Sequence, residues 1–524
     1  MLRVCLYQLS AIAVDPDAIG LEADSFERNL PEFLRRRVPA EDVRHFVDSI
    51  EGAPTRCVLS KLAMVLLQFR YDLSERELVQ RCRRDLGFRY ALGLEPGQKP
   101  PSARTYRRFR DRVRDVKGDD YLLRLTLGAA VVEELLDDAE LQAVDSTNTD
   151  CRGAVIDTFN LVAAGIRQVL REVARCLGMR TEELARRWEM SRYLARSVKG
   201  AAGIDWSDKT QRNALLTQEI HDADRIAAHV AALDETMGLP PEVEQAVALL
   251  KQVARQDVEE LEDGTFCIAQ GTVSGRIISI TDPEARHGRK SVSKTIKGFK
   301  THIAGTIESQ FVTGIAITDA STHDGKPTEG LIKQTEVNGV KPTEMVGDNA
   351  YGGGANLRTC NELGVEMHTK PSSLSARAGI PKGDFDIDLE RMKVTCPGGQ
   401  STERYTIVNA DKGEERVPAF RFATSDCQAC ELKDSCCAAT AKGGHRKIRL
   451  SPYESEIRKN RAFAATPRGR ELLRSRSAVE RLISHLVKMG MRHARFFSMK
   501  RVQYQAYMVA AAYNLQRIFT LRSG

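Results

Sequence analysis

The sequence lacks any long uncharged apolar run: nowhere in its 524 residues is there a stretch approaching the ~20 apolar residues a membrane-spanning helix needs. It also lacks the basic-then-apolar opening of a secretory signal, so it reads as a soluble protein that is not secreted. No internal repeat and no low-complexity segment is visible, which removes solenoids and disordered tracts from consideration. Twelve cysteines in so long a chain do not make a disulfide framework; in a reducing cytosol a local cluster of them would point to metal instead. Neither sign of charge dominates, with 78 Lys and Arg against 71 Asp and Glu and a net charge of +7. Such a balance is compatible with a nucleic-acid partner and does not require one.

The length suggests about three domains at roughly 150 residues each. The positive charge is unevenly placed. Residues 101–117 (PSARTYRRFRDRVRDVK) carry six Arg and one Lys against two Asp, and basic stretches recur at 286–300 and 488–501. Basic stripes with aromatic residues between the arginines resemble a footprint for phosphate backbone, with Arg104, Arg107, Arg108 and Arg110 as the candidate contacts. Solvated helix faces give the same pattern, less readily for three stripes than for one.

The N-terminal part, residues 1–120, reads as a helical unit. KLAMVLLQFR (61–70) is an apolar helix, and Ser74 with Glu77 three residues on forms a capping box for the next. Ser102 caps the arginine-rich helix. Helix, turn, helix and basic helix is the outline of a helix-turn-helix-like DNA-binding unit, an outline that plain helical bundles share.

Three acids then stand out. LQAVDST (141–147) alternates like a strand that delivers Asp145 at its carboxyl edge. MVGDNAYGG (345–353) places Asp348 after an apolar approach and before a Gly-rich turn. RSRSAVERLISHLVK (474–488) reads as a helix with Glu480 near its start, and with Arg476, Ser484 and Lys488 at four-residue steps on the same polar face. Residues 155–263 are helical, with Thr181 a candidate cap, and look like an insertion. Strand signals resume at 276–283, 299–307 and 311–320, then at the Asp348 strand and at VEMHTK (365–370), with helices near 327–337 and 355–363 between. One strand, three that could form a meander and two separated by helices match an α/β core of RNase H-like order, interrupted after its first strand. The expected segments are 138–154 for the first core strand, 264–370 for the middle of the core, 371–450 for a Cys-containing insertion and 451–524 for the helical part carrying the third acid.

In the Cys-containing insertion, Cys427 and Cys430 form a C-x2-C with Cys396 upstream and Cys436 and Cys437 downstream. Cys396, Cys427, Cys430 and Cys436 could supply four zinc ligands, with Cys437 an alternative fourth; free buried thiols are the competing reading.

Two aspartates at strand ends and one helical glutamate suit phosphodiester chemistry. Two divalent metals ~3.5–4 Å apart can serve both ends of an in-line displacement, and Mg2+ prefers such hard oxygen ligands. Asp145 is the best candidate to bridge both ions, with Asp348 and Glu480 each holding one. Arg476, Lys488 and Lys300 would contact phosphate or balance charge. No general-base histidine is needed, because the metal lowers the pKa of its bound water.

These motifs resemble those of bacterial insertion-sequence DDE transposases, in particular the insertion-sequence family eleven-eighty-two type that begins with a helical domain. The resemblance covers most of residues 41–520. It rests on HFVDSI, LSERELVQRC and ARTYRRFRDRV in the first part, and on AVDST, GFKTHIAG, THDGKP, DNAY and RSAVERLISHLVK in the core. It departs from the fuller signature of related transposases at Leu473, where a Tyr is expected, and at Val487, where a Lys is expected and Lys488 comes one place later. The resemblance implies an RNase H-like core that cuts and joins DNA with two Mg2+ (or Mn2+) ions. It also implies double-stranded DNA partners, the element ends and a target, and a homodimer on DNA in the bacterial cytoplasm, nucleoid-associated. Competing expectations are a non-catalytic DNA-binding protein that kept the fold, and a nuclease that only hydrolyses. His302, His323 and Asp324 are expected to be structural.

Overall fold

The computed structural model describes residues 15–46, 58–95, 97–271, 273, 275–289, 295–371, 380–409, 415–437 and 444–523. Val47–Ile50 of the HFVDSI motif and 290–294 of the second basic stretch lie outside the described residues.

The centre is a mixed sheet. Its strands are β1 (Gln142–Asp150), β4 (Arg286–Arg289), β5 (Thr295–Thr306), β6 (Val312–Asp319), β7 (Glu344–Gly347) and β8 (Glu366–Thr369); a small separate hairpin, β2 (Val258–Glu260) and β3 (Phe266–Ile268), stands apart. The long β5 runs antiparallel to β1 on one side, and its other side is shared end to end by β4 and β6. β7 runs parallel to β1, and β8 parallel to β7. The main path is therefore β6-β5-β1-β7-β8. The helix Thr328–Val337 connects β6 to β7 and Gly354–Glu362 connects β7 to β8, as parallel pairing requires a crossover between strands.

Two sequence expectations change here. Residues 276–283 form no strand and touch the sheet only through a single bridge from Ile277 to Arg286. The apolar residues there are buried for another reason: Ile277 and Ile280 pack into the core of the helical insertion, and Ile278 into the main core. The strand carrying Asp145 is longer than expected and continues to Asp150, paired with β5 throughout.

One face of the sheet packs on a single large core. Phe299, Ile303 and Phe311 meet side chains of the N-terminal helices Phe26–Arg37, Val58–Arg70, Glu75–Arg84, Ala103–Lys117 and Tyr121–Val132, together with the helix Met499–Ser523. The N-terminal helices thus share their core with the sheet and the C-terminal helix instead of enclosing one of their own. The other face is covered by the helices Thr328–Val337 and Gly354–Glu362, through Leu331, Ile332, Leu357 and Cys360. Burying both faces in this way suits the apolar runs of β5 and β7.

The insertion after β1 has its own core, built chiefly by the helices Thr158–Cys176, Lys209–Met237 and Pro241–Arg255. Thr181 is the first residue of its helix and not its cap; Arg180 takes the cap position and makes no side-chain bond there. Asp157 and Asp208 cap the two longest helices of the insertion through their carboxylates. Between β8 and the helix Glu454–Ala465, two three-stranded sheets close on a small core of Phe385, Val394, Phe420 and Ile448. Among the described residues no helix is long and apolar enough to cross a membrane.

Candidate active site

Strand register brings the two aspartates together. Val144 of β1 pairs with Gly347 of β7 in parallel, and there the pairing ends. Asp145 and Asp348 follow these two residues, so they stand side by side where the parallel pairing stops. Asp145 is therefore not at the end of its own strand but at the point where its parallel neighbour stops. Gly347 is required at this point, since a Cβ there would lie 2.9 Å from Cβ of Tyr351, the buried tyrosine of the DNAY turn. Asp348 caps that turn by accepting from the Ala350 amide at 2.8 Å.

The helix Ser477–Leu486 carries Glu480 to the same place. Ala478, Val479, Leu482 and Leu486 are its buried face. Leu482 packs directly on β5 at Gly305, where an added Cβ would lie 2.7 Å from Leu482 Cδ1 and 2.9 Å from the Phe311 carbonyl. Glu480 projects from the opposite side and is 56% exposed. Arg476, one turn earlier, joins the acids: its guanidinium lies 3.0 Å from Asp145 Oδ2 and 2.6 Å from Glu480 Oε1. Burial pushes the Asp145 carboxyl above its ordinary value; the Ser146 amide and Arg476 oppose that, and the nearby charges of Asp348 and Glu480 add to it.

A second set of polar groups lies beside Asp145, where sequence reasoning expected Lys300 to contact phosphate or balance charge and His302, His323 and Asp324 to be structural. Ser146 donates its amide to Asp145 Oδ1 at 2.7 Å and its hydroxyl to Asp324 Oδ2 at 3.1 Å. Asp324 Oδ1 holds the Lys300 ammonium at 2.7 Å, and Lys300 also donates to the Thr322 carbonyl at 2.8 Å. Lys300 is thus a half-buried cation already paired with Asp324. His302 is fully buried, with Nε2 2.9 Å from Thr318 Oγ1 and Nδ1 3.4 Å from the Tyr351 hydroxyl. Its burial pushes its pKa down to about 4, so the ring is neutral. His302 and Asp324 both have protein partners, and Asp324 bonds the residue that follows Asp145. A signal was present in THDGKP, an acid in a turn directly after a core strand.

The four-residue spacing from Arg476 reaches Ser484 but not Lys488. The backbone widens into a π turn over Val487–Met491, and Lys488 lies within it, exposed. One-turn π segments of this kind recur at functional sites.

The basic helix is only partly open. Arg104, Arg107 and Arg108 lie on its exposed face, with Arg107 also paired to Glu75. Tyr106, Phe109 and Arg110 face inward. Arg110 is 6% exposed, paired with Glu75 and stacked between Tyr106 and Phe496 at 5.5 and 5.4 Å, so it belongs to the core and not to a DNA-contacting surface. In the third basic stretch Arg495 is tied to Asp72, and Arg492 bonds Asn148 at 2.9 Å. The aromatics between the arginines are thus largely core residues, which explains their periodic placement.

The five cysteines line one small cavity with Phe422 and Arg446. Cys427 and Cys436 each contact Cys437, and Cys396 and Cys430 converge on Gly398, whose Cβ would lie 3.7 and 3.1 Å from their sulfurs. Cys437 is thereby more central among the thiols than Cys436. All of these thiols are free. Among the described residues the one group of His, Cys, Asp and Glu side chains whose ligand atoms all lie within 4.8 Å of one another is a different one: Glu344, Glu366 and His368. It could hold a metal ion, and it stands at the amino ends of β7 and β8, the far edge of the sheet from Asp145 and Asp348. Neither the acids around Asp145 nor the thiols meet that spacing.

Two family models match the chain. Residues 395–519 match the Transposase DDE domain family, a span that includes Arg476 and Glu480. Residues 21–112 match the Transposase domain (DUF772) family, a span that includes the capping box and the basic helix. Over these two spans the chain is similar to insertion-sequence DDE transposases, proteins of DNA transposition and recombination. No curated protein matches it.

Proposed function

We propose that this chain is a transposase that binds the ends of its element, cleaves DNA phosphodiester bonds there and joins the 3′ ends to target DNA through two divalent metals held by Asp145, Asp348 and Glu480. The observation that carries this reading is the β1–β7 register, which sets Asp145 beside Asp348, together with the Arg476 bridge from Asp145 to Glu480. The strand path β6-β5-β1-β7-β8, antiparallel then parallel, supports an RNase H-like core, and the N-terminal helices support the insertion-sequence family eleven-eighty-two type. The segments expected from the sequence remain the proposed division, with the N-terminal DNA-binding unit docked on the core instead of standing apart.

The donors around Asp145 fit hard cations: carboxylate oxygens with no thiol or free imidazole among them, and mutual repulsion that a cation relieves. Bound Mg2+ or Mn2+ would supply the Lewis acidity that activates water or a 3′-hydroxyl and stabilises the leaving oxygen. Asp145, central among the acids, would contact both ions, with Asp348 and Glu480 one each. Arg476 orients Asp145 and Glu480 and neutralises part of their charge. Arg104, Arg107, Arg108, Arg476 and Lys488 are the proposed DNA contacts. Cys396, Cys427 and Cys430, with Cys436 or Cys437, would hold a structural zinc in the small cysteine-lined domain. The working form is a homodimer on paired ends, in the bacterial cytoplasm at the nucleoid.

The test is an end-cleavage and strand-joining reaction with Mg2+, using the DNA flanking the coding sequence and a target plasmid. Wild type should cut and join, whereas D348N and E480Q should do neither while still binding the ends. Hydrolysis without joining would instead mark a nuclease. DNA binding with no cleavage by wild type would mark a DNA-binding protein that kept the fold.

A further inference from the structure

We infer that Asp324 is a positioning residue of the strand-joining site, acting through Lys300 and Ser146. The inference rests on the proposed triad and extends it. An ammonium has three donors. Two on Lys300 are committed, to Asp324 Oδ1 at 2.7 Å and to the Thr322 carbonyl at 2.8 Å. The side chain is 14% exposed, so this cation is fixed in place instead of swinging on a flexible stem. Its third donor is left for a group entering from the site.

The other Asp324 oxygen takes the Ser146 hydroxyl at 3.1 Å, while the amide of the same serine fixes Asp145 Oδ1 at 2.7 Å. One carboxylate therefore sets two things at once: where the cation stands, and how the residue after Asp145 is oriented. The segment carrying Asp324 is itself packed against the DNAY turn, since a Cβ on Gly325 would lie 3.3 Å from the Ala350 carbonyl. Asp324 thus couples the β6–β7 connection to both strand-borne aspartates. Its ligand is the DNA phosphate that Lys300, once positioned, contacts.

The test is a double-mutant cycle on strand joining with K300A, D324A and K300A/D324A in the full chain, with the Mg2+ dependence and melting temperature of each. Misplacing a catalytic group can cost on the order of a hundredfold. K300A and D324A should each lose about that much, and the double variant should lose no more than the worse single variant, because both remove one unit. Half-saturating Mg2+ should stay as in wild type, while each single variant should melt lower, because it leaves one member of a half-buried ion pair without its partner, and the double variant should recover part of that loss. Losses that multiply in the double variant would overturn the inference. So would a raised Mg2+ requirement in D324A, which would make Asp324 a metal ligand. If D324A does not fold, D324N, which keeps the shape and one acceptor oxygen, replaces it in the cycle with the same expected coupling. D145N separates the two levels: if it still joins strands, the triad reading itself fails, whereas a dead D145N beside uncoupled K300A and D324A sinks only this inference.

Discussion

The two edges of the central sheet set acids beside cations in opposite ways. At the amino edge, Glu344 and Glu366 pair directly across β7 and β8. Arg468 reaches both oxygens of Glu344, at 2.9 and 2.8 Å, and buried His368 sits 3.1 Å from the same carboxylate, its ring stacked on Phe463. At the carboxyl edge, Asp145, Asp348, Glu480 and Asp324 gather around only Arg476 and Lys300. The tighter cluster is the one already satisfied by protein partners. The looser one keeps an excess of negative charge, half-buried, and is where added cations gain most. Under the proposed assignment, the balance of charge left by a site's own neighbours guides metal binding better than the compactness of its ligand set.

The comparison breaks most sharply by neutralising one acid at each edge. D145N should lower strand joining by roughly a thousandfold or more, about 4 kcal/mol of barrier, with no loss of melting temperature. E366Q should leave the rate within a few-fold of wild type; a comparable loss there would move the reacting centre to the amino edge.

L482A tests whether the third acid depends on its anchor. Removing a fully buried leucine from over Gly305 should destabilise the fold by ~3 kcal/mol in chemical denaturation. It should also reduce joining, because Glu480 loses its support while keeping its charge.

Glu219 in the helical insertion offers a third kind of acid, one with no hydrogen-bond partner among the described residues. It is fully buried, both its carboxylate oxygens lack a hydrogen-bond partner, and burial raises its pKa from 4.5 to about 8. The folded state therefore holds a proton that the unfolded chain releases above 4.5. The stability Glu219 contributes is present below pH 4.5 and is lost as pH climbs toward about 8, after which it levels off. In wild type this should appear as a decline on the order of a few kcal/mol across that window, at 1.36 kcal/mol for each unit of pKa. E219Q should flatten the decline and melt higher than wild type near pH 8; an unchanged slope would show that the group stays neutral or finds water. The smallest effect is S74A, which removes one side of the capping box and should cost ~1 kcal/mol without altering chemistry.

Much of this was legible in the sequence, and the gaps have physical causes. The capping box at Ser74 and Glu77 and the Ser102 cap are local hydrogen-bond patterns, and both are present. The helices at 328–337 and 354–362 and the strands around Asp348 and His368 followed from short-range periodicity. What failed required knowledge of a distant partner. The isoleucines of 276–283 looked like a strand because alternation records burial, not the identity of the neighbour. Arg110 looked like a DNA contact because charge is visible in a sequence and a half-buried Glu75 across a helix pair is not. Asp324 and Lys300, 24 residues apart, meet only because β5 and β6 fold back on each other. The π turn at Val487–Met491 likewise cannot be read from spacing, and it moves Lys488 off the line that runs through Glu480.

The shared core has a consequence for how the chain is made. Arg70 bonds Gln516 across 446 residues of sequence, and Phe26 and Phe33 stack edge-on against Phe519. Contacts this far apart are slow to form and cannot begin until the distal helix exists. On a ribosome, the faces of Val58–Arg70 and Tyr121–Val132 that Met499–Ser523 covers would wait, exposed, until that last helix had emerged. An interrupted translation product would lack both that helix and Glu480, so neither the shared core nor the proposed carboxylate set could close before the chain is nearly whole.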